Sequence, residues 1–321
     1  MRAWQYMGHQ APLQINEIPE PEPSPTQVII DVKAAGLCHS DVTYIEQGDM
    51  MMPFLPMTQG HENAGVISAL GSEVSGFKIG DVVGVCPSGV QLPTGMFTPG
   101  GFADKFAADY RDLVIVPEGL DLSLAALATD AGMTSYHAMM KVGGAAKGMK
   151  VGVIGFGGLG QIGARAAVLA GAEVHVAEVK EEVWPNAFAA GVTSCVHDAD
   201  EWAGADVANP MVGGTFDLIV DYAGFDTTQK ALNAIKRGSG KAVQVGIGKP
   251  VFTVATHSML GKTLQGSLGG TVEDIAELFD LMLGGEIRPV YEVISFEDIG
   301  AGIDRLREGR VTGRLVARFG D

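Results

Sequence analysis

Cysteine is scarce in this chain of 321 residues: Cys38, Cys86 and Cys195 are all it has. The number is odd and the spacing wide, which gives no basis for a disulfide framework and makes a reducing cytosol the expected compartment. Positive charge is also in short supply. Lys and Arg total 22 against 38 Asp and Glu, a formal net charge of −16. Such a surface repels phosphate backbones and anionic lipid heads, so nucleic acid and membranes are not expected partners. No apolar run reaches the ~20 residues that a spanning helix requires, because glycine and charged residues interrupt every candidate. The opening Met1-Arg2-Ala3-Trp4-Gln5 lacks the basic-then-apolar pattern of a signal peptide. Internal repeats and low-complexity tracts are absent.

What is present is glycine, 45 residues of it, which signals tight turns and close backbone approaches. The length allows two domains with cores of their own. The first stretch reads as β-rich, with strands over 28–32 and 65–67 after a proline-stiffened lead-in at Pro19, Pro21, Pro23 and Pro25. From Lys150 the rhythm changes. Short β-branched runs over 151–154, 174–177, 216–221, 242–245 and 263–265, with a weaker one at 195–196, alternate with helical stretches such as 159–170. That alternation predicts a doubly wound parallel sheet. Later, Thr271 and Ser295 each read as caps, for helices over 275–283 and 299–307, and 315–319 reads as a strand returning to the first domain. The expected division is 1–130 with 266–321, and 131–265 between them.

The run over 151–154 leads straight into Gly155-Phe156-Gly157-Gly158-Leu159-Gly160. Gly155 permits the turn, Gly157 lets the backbone approach a pyrophosphate, and Gly160 lets the helix pack on the strand. Gly158 and Leu159 complete the cradle, where the helix N-terminus offers N–H groups to phosphate. Glu178 follows Gly160 by 18 residues. A carboxylate there binds ribose hydroxyls and repels a 2′-phosphate, which favours NAD over NADP. Lys180 is the nearby feature of opposite sign.

Two further segments, Cys38-His39-Ser40-Asp41 and Gly60-His61-Glu62, supply a thiolate and an imidazole, side chains that grip zinc. Cys38 alone reads as a small buried hydrophobe and His61 alone as a core histidine, but their contexts change this. Gly36-Leu37-Cys38-His39-Ser40-Asp41, Gly60-His61-Glu62-Asn63-Ala64-Gly65-Val66-Ile67 and Phe77-Lys78-Ile79-Gly80-Asp81-Val82-Val83 resemble the zinc-containing alcohol dehydrogenases of the medium-chain dehydrogenase/reductase superfamily. The resemblance runs over nearly the whole chain. It implies a GroES-like β-barrel catalytic domain plus a Rossmann domain. It also implies zinc and NAD as cofactors, and reversible hydride transfer between an alcohol and an aldehyde or ketone. Residue by residue, it makes Cys38 and His61 ligands of a catalytic zinc. Asp130 stands where a third, usually cysteine, ligand is found; the bland alternative is a helix cap. Glu62 becomes a neighbour or transient ligand, Asp41 the partner that orients the histidine, and Ser40 the acceptor of the substrate proton. His39 falls beside the cofactor pyrophosphate, and Gly246 and Ile247, with Ala223-Gly224, near the nicotinamide. Substrate is expected between the domains, near Tyr44, Phe54, Cys86 and Pro87, and the assembly is expected to be a dimer or tetramer.

Two departures stand out. The position that often ends the proton relay in a histidine is Thr43 here. The region from Cys86 to Gly101 holds one cysteine where many relatives have four, so at most one zinc per chain is expected. His9, His137, His175, His197 and His257 carry no motif. The competing readings are a zinc-free quinone or enoyl reductase on the same scaffold, and a non-catalytic dinucleotide sensor.

Overall fold

The computed structural model of the chain describes residues 1–8, 11–47, 52–202, 213–249 and 251–320; His9 lies outside them. The chain forms two compact units. One comprises Met1–Met133, Thr271–Gly285 and Val290–Asp321, the other Thr134–Gly270 and Glu286–Pro289.

The first unit opens with β1 (Arg2–Tyr6), β2 (Gln14–Glu17), β3 (Gln27–Leu37), α1 (His39–Gln47), β4 (Met57–Thr58) and β5 (Glu62–Leu70). Then come β6 (Val82–Val85), β7 (Lys105–Asp109), β8 (Leu113–Ile115), α2 (Leu122–Leu127) and a π-helical turn, Ala128–Gly132, with α3 (Met133–Tyr136) directly after it. The second unit carries β9 (Lys150–Ile154), α4 (Gly160–Leu169), β10 (Glu173–Ala177), α5 (Trp184–Ala189) and β11 (Ser194–Val196). It continues with β12 (Leu218–Asp221), α6 (Thr227–Ala234), β13 (Lys241–Gln244) and β14 (Thr263–Gly266). The chain then returns to the first unit with α7 (Val272–Leu283), β15 (Tyr291–Ser295), α8 (Ile299–Arg307) and β16 (Arg314–Arg318).

In the first unit β2-β1-β4 form a small sheet. A larger one runs β15-β16-β3-β5-β6-β8, with β7 also on β3. Strand β3 is the hub because its eleven residues are almost wholly buried. Two register shifts against β5 bend the strand so that it serves several partners. Its inward Val28, Ile30 and Val32 pack with Ile67, Val83, Phe102 and Phe106 in one core.

The second unit holds a six-stranded parallel sheet, β11-β10-β9-β12-β13-β14. Val151, Val153, Val174, Val176, Leu218 and Val220 face one covering layer, and Ile154, Ala177, Ile219 and Ala242 face the other. Burial on both faces explains the near-continuous apolar runs in the sequence. The order steps outward in both directions from β9 and β12, so the crevice at their carboxyl ends is the switch point where such sheets bind ligands.

Helix ends follow local chemistry. Thr271 Oγ1 accepts the Asp274 N–H and Asp274 Oδ2 accepts the Thr271 N–H, a reciprocal box at the start of α7. The helix then buries Ile275, Leu278, Phe279 and Met282, the spacing of one face. Ser295 does otherwise. Its hydroxyl bonds the Asp298 carboxylate and caps no backbone N–H, because a short 3-10 turn, Phe296–Asp298, intervenes before α8. No helix among the described residues is long and apolar enough to cross a membrane.

Candidate active site

Three separated segments of the first unit converge. Cys38 follows β3, His61 precedes β5, and Asp130 sits inside the π-helical turn rather than at a helix cap. Cys38 Sγ, a His61 ring nitrogen and an Asp130 carboxylate oxygen lie within 4.8 Å of one another. Among the described residues this is the group of donors that could hold an ion. A tetrahedral zinc with bonds of about 2.0–2.3 Å spaces its donors at roughly 3.3–3.8 Å, so the donors need to close by only about 1 Å to share it.

The surroundings fit a cation. His61 is buried between two carboxylates, with Nδ1 3.2 Å from Asp41 Oδ1 and Nε2 3.3 Å from Asp130 Oδ2. Among the described residues, neither His61 Nδ1 nor Asp41 Oδ1 has another hydrogen-bond partner. Burial disfavours the imidazolium, but Asp41 and Asp130 outweigh it and hold the His61 pKa well above its ordinary value. Burial would likewise raise Asp130, but His61 and Arg314 hold its carboxyl far below the usual range. The thiol, the ring and the Asp130 carboxylate are donor types that a divalent ion takes. Asp41 also accepts the Cys38 backbone N–H at 2.9 Å, so one carboxylate lies against the imidazole and the backbone of the thiol-bearing residue. Ser40 Oγ lies 3.6 Å from Cys38 Sγ, and the Ser40 N–H donates to that sulfur at 3.5 Å. The Thr43 hydroxyl is spent on the His39 carbonyl, and His39 itself is exposed.

Glu62 is adjacent to His61 yet outside the donor group. It fills the space a side chain at Gly36 would need, since a Cβ there would stand 2.3 Å from its carboxyl carbon. Arg314, at the start of β16, donates to Glu62 Oε2 at 2.6 and 3.1 Å and to Asp130 Oδ2 at 3.0 Å. Burial raises the Glu62 pKa to about 7 although Arg314 lowers it. Arg314 is the site residue that sequence reasoning missed. A lone arginine opening an apolar strand reads as solvent-facing, and only its 4% exposure reveals its place. Of the expected pocket residues, Tyr44, Cys86 and Pro87 are buried and Phe54 is exposed.

In the second unit the turn after β9 meets its geometric requirements. Gly155 has φ +85°. A Cβ at Gly160 would fall 1.8 Å from the Gly155 carbonyl oxygen, whereas one at Gly157 would meet nothing within 4 Å. The first needs glycine for packing; the second leaves open space for a pyrophosphate. Gly158 and Leu159 lie between them, and Leu159 precedes α4. Glu178, just past β10, accepts the Phe156 N–H at 2.7 Å and the Lys180 N–H at 2.9 Å, so its carboxylate is fixed against the glycine turn. Asp221, another residue the sequence did not single out, ends β12 with 1% exposure. It accepts the Ala223 and Gly224 N–H groups and the Thr227 hydroxyl, while its carbonyl accepts from Val245 and Gly246. It thereby joins the turn at Ala223-Gly224 to the one holding Gly246 and the exposed Ile247.

Comparison with known proteins bears on both units. Residues 24–118 match the alcohol dehydrogenase GroES-like domain and residues 158–284 the zinc-binding dehydrogenase family. An alcohol dehydrogenase of Geobacillus stearothermophilus is 32% identical over 337 aligned positions, covering 96% of each chain. The chain belongs to the zinc-containing alcohol dehydrogenases. An NADP-dependent member of this family from Mycolicibacterium smegmatis is 28% identical, over 91% of this chain and 90% of that one. Among solved structures of the family's fold, acetophenone reductase from Geotrichum candidum, in complex with NAD, superposes with a TM-score of 0.87. It is 26% identical and covers 99% of this chain and 97% of that one. The alcohol dehydrogenase of Aeropyrum pernix gives 0.86 at 27% identity, covering 99% and 100%. This alcohol dehydrogenase thus shares its fold along its whole length with enzymes of alcohol and ketone chemistry.

Proposed function

We propose that the chain is a zinc-dependent alcohol dehydrogenase that interconverts an alcohol with its aldehyde or ketone and prefers NAD over NADP. The observation that carries this is the convergence of Cys38, His61 and Asp130 within 4.8 Å. The first unit is the catalytic domain and the second the coenzyme domain. When bound, zinc supplies Lewis acidity to the substrate oxygen and the nicotinamide supplies the hydride acceptor or donor.

The chain's own residues do the rest. Cys38, His61 and Asp130 hold the ion, with two negative charges among three donors. Asp41 orients the imidazole from behind, as carboxylates do for ligating histidines. Ser40, with its hydroxyl beside the Cys38 sulfur, takes the substrate proton. Thr43, whose hydroxyl donates to the His39 carbonyl, supplies no terminal base, and the proton leaves Ser40 through cofactor hydroxyls and water. Arg314 grips Glu62 and keeps it back from the ion. Gly155, Gly157, Gly158, Leu159 and Gly160 cradle the pyrophosphate, Glu178 binds the ribose hydroxyls, and Gly246 and Ile247 border the nicotinamide.

A panel of primary, secondary and aromatic alcohols, run with NAD and NADP before and after chelation, tests the reading. Activity is expected with NAD, lost with the metal and restored by zinc, and absent in Cys38→Ala and His61→Ala. Turnover indifferent to chelation would point to a zinc-free reductase, and a higher kcat/KM with NADP would overturn the coenzyme preference.

A further inference from the structure

Thr129 sits one residue before Asp130, in the same π-helical turn, and is wholly buried. Its hydroxyl donates to the Ala126 carbonyl at 2.7 Å. The same oxygen accepts the backbone N–H of Asn63 at 3.0 Å. Asn63 lies two residues after His61, in β5. One oxygen atom therefore joins the segment that carries the imidazole to the turn that carries the carboxylate. The other branch of the side chain is held as well, since a Cβ placed on Gly84 in β6 would stand 2.9 Å from the Thr129 methyl.

The turn needs such an anchor. π-helical turns are rare, occur as single-turn insertions and gather at functional sites. Relaxing one to ordinary α geometry shifts the register by one residue, a rotation of about 100° in the direction a side chain takes. At Asp130 that rotation carries the carboxylate away from His61. The chain offers another tie between the two segments in the Asp130–His61 contact itself, but that contact is part of the centre and cannot position it.

We propose that Thr129 is a positioning residue for the metal centre: its hydroxyl fastens the π-helical turn to β5 and so sets the separation of Asp130 from His61. The proposal rests on the zinc reading above. Thr129→Val keeps the shape and both branches but leaves the Asn63 N–H buried without an acceptor. Thr129→Ser keeps the hydroxyl and gives up the methyl.

The test measures zinc affinity by competition with a chromophoric chelator, the visible spectrum of the cobalt(II)-substituted protein, and the thermal midpoint of the metal-free protein. Thr129→Val is expected to bind zinc about tenfold or more weakly, the range seen when groups that orient ligands are removed, with altered cobalt d–d bands. Thr129→Ser is expected to keep wild-type affinity and an unchanged cobalt spectrum. Should Thr129→Val fail to fold, Thr129→Ala set against Thr129→Ser isolates the same hydroxyl on a smaller side chain, with the same split expected. Wild-type affinity and spectrum in Thr129→Val, or equal losses in the variants with and without the hydroxyl, would overturn the proposal alone. A wild-type chain that takes up neither zinc nor cobalt would bring down the zinc reading and this proposal with it.

Discussion

Arg314 shows how much of the centre depends on one cation. It is buried and shared by Glu62 and Asp130, and burial opposes its charge while Cys38, Glu62 and Asp130 hold it in place. Removing one partner of such a cluster leaves charge in low dielectric without compensation, a cost of about 3–5 kcal/mol. Arg314→Met should therefore lower the urea midpoint by a corresponding amount, and adding Glu62→Gln should recover part of the loss, because the orphaned carboxylate goes with it. Additive effects of the two substitutions would contradict the coupling. A second residue, Asp109, contributes to behaviour in acid. Its bond to the Arg111 side chain outweighs burial and holds its pKa at about 2, below the ordinary 3.8. On acidification the unfolded chain takes up this proton first, so the stability Asp109 contributes is whole above pH 3.8 and lost as pH falls through about 2. Asp109→Asn should be less stable than the parent at pH 6, and the gap should narrow steadily between pH 4 and pH 2 in thermal melts; a gap independent of pH would refute the assignment.

At the scale of elements, legibility followed burial and local chemistry. β9, β10, β12 and β13 were readable as apolar runs because both faces of their sheet are covered. α7 was readable from Thr271 and the spacing of Ile275, Leu278, Phe279 and Met282, since a cap and a one-sided stripe are written within a dozen residues. Thr271→Ala removes that cap and should cost about 1 kcal/mol, measured as a shift in denaturant midpoint with unchanged slope; no shift would mean that packing alone ends the helix. β15 was not readable: its largely exposed pattern carries no apolar run. The π-helical turn was not readable either. Ala128-Thr129-Asp130-Ala131-Gly132 has the composition of any loop or helix end, and the extra residue in the turn follows from what β5 and β6 press against it.

For the molecule as a whole, the candidate donors come from positions 38, 61 and 130, and the cation that Asp130 shares with Glu62 comes from position 314, near the far end of the chain. On the zinc reading, metal binding and folding of the first unit should therefore be linked. With free zinc at about 100 times its dissociation constant, the folded state gains about 2.7 kcal/mol. Chelation should accordingly lower the thermal midpoint, and readdition of one equivalent of zinc per chain should restore it. An unchanged midpoint would mean that the first unit closes without the ion.

The residue order alone determined the donor types, the glycine turn with its acidic partner, and the alternation that makes a parallel sheet. Each depends on neighbours within about twenty positions, and each leaves a pattern in composition or spacing. Tertiary structure alone decided that Arg314 is buried against two carboxylates, that Asp130 lies in a π-helical turn whose Thr129 bonds to β5, and that Asp221 ties two turns together. Those facts turn on which polar group loses its water and which partner replaces it. That exchange is settled between segments up to 252 residues apart, where no local pattern records it.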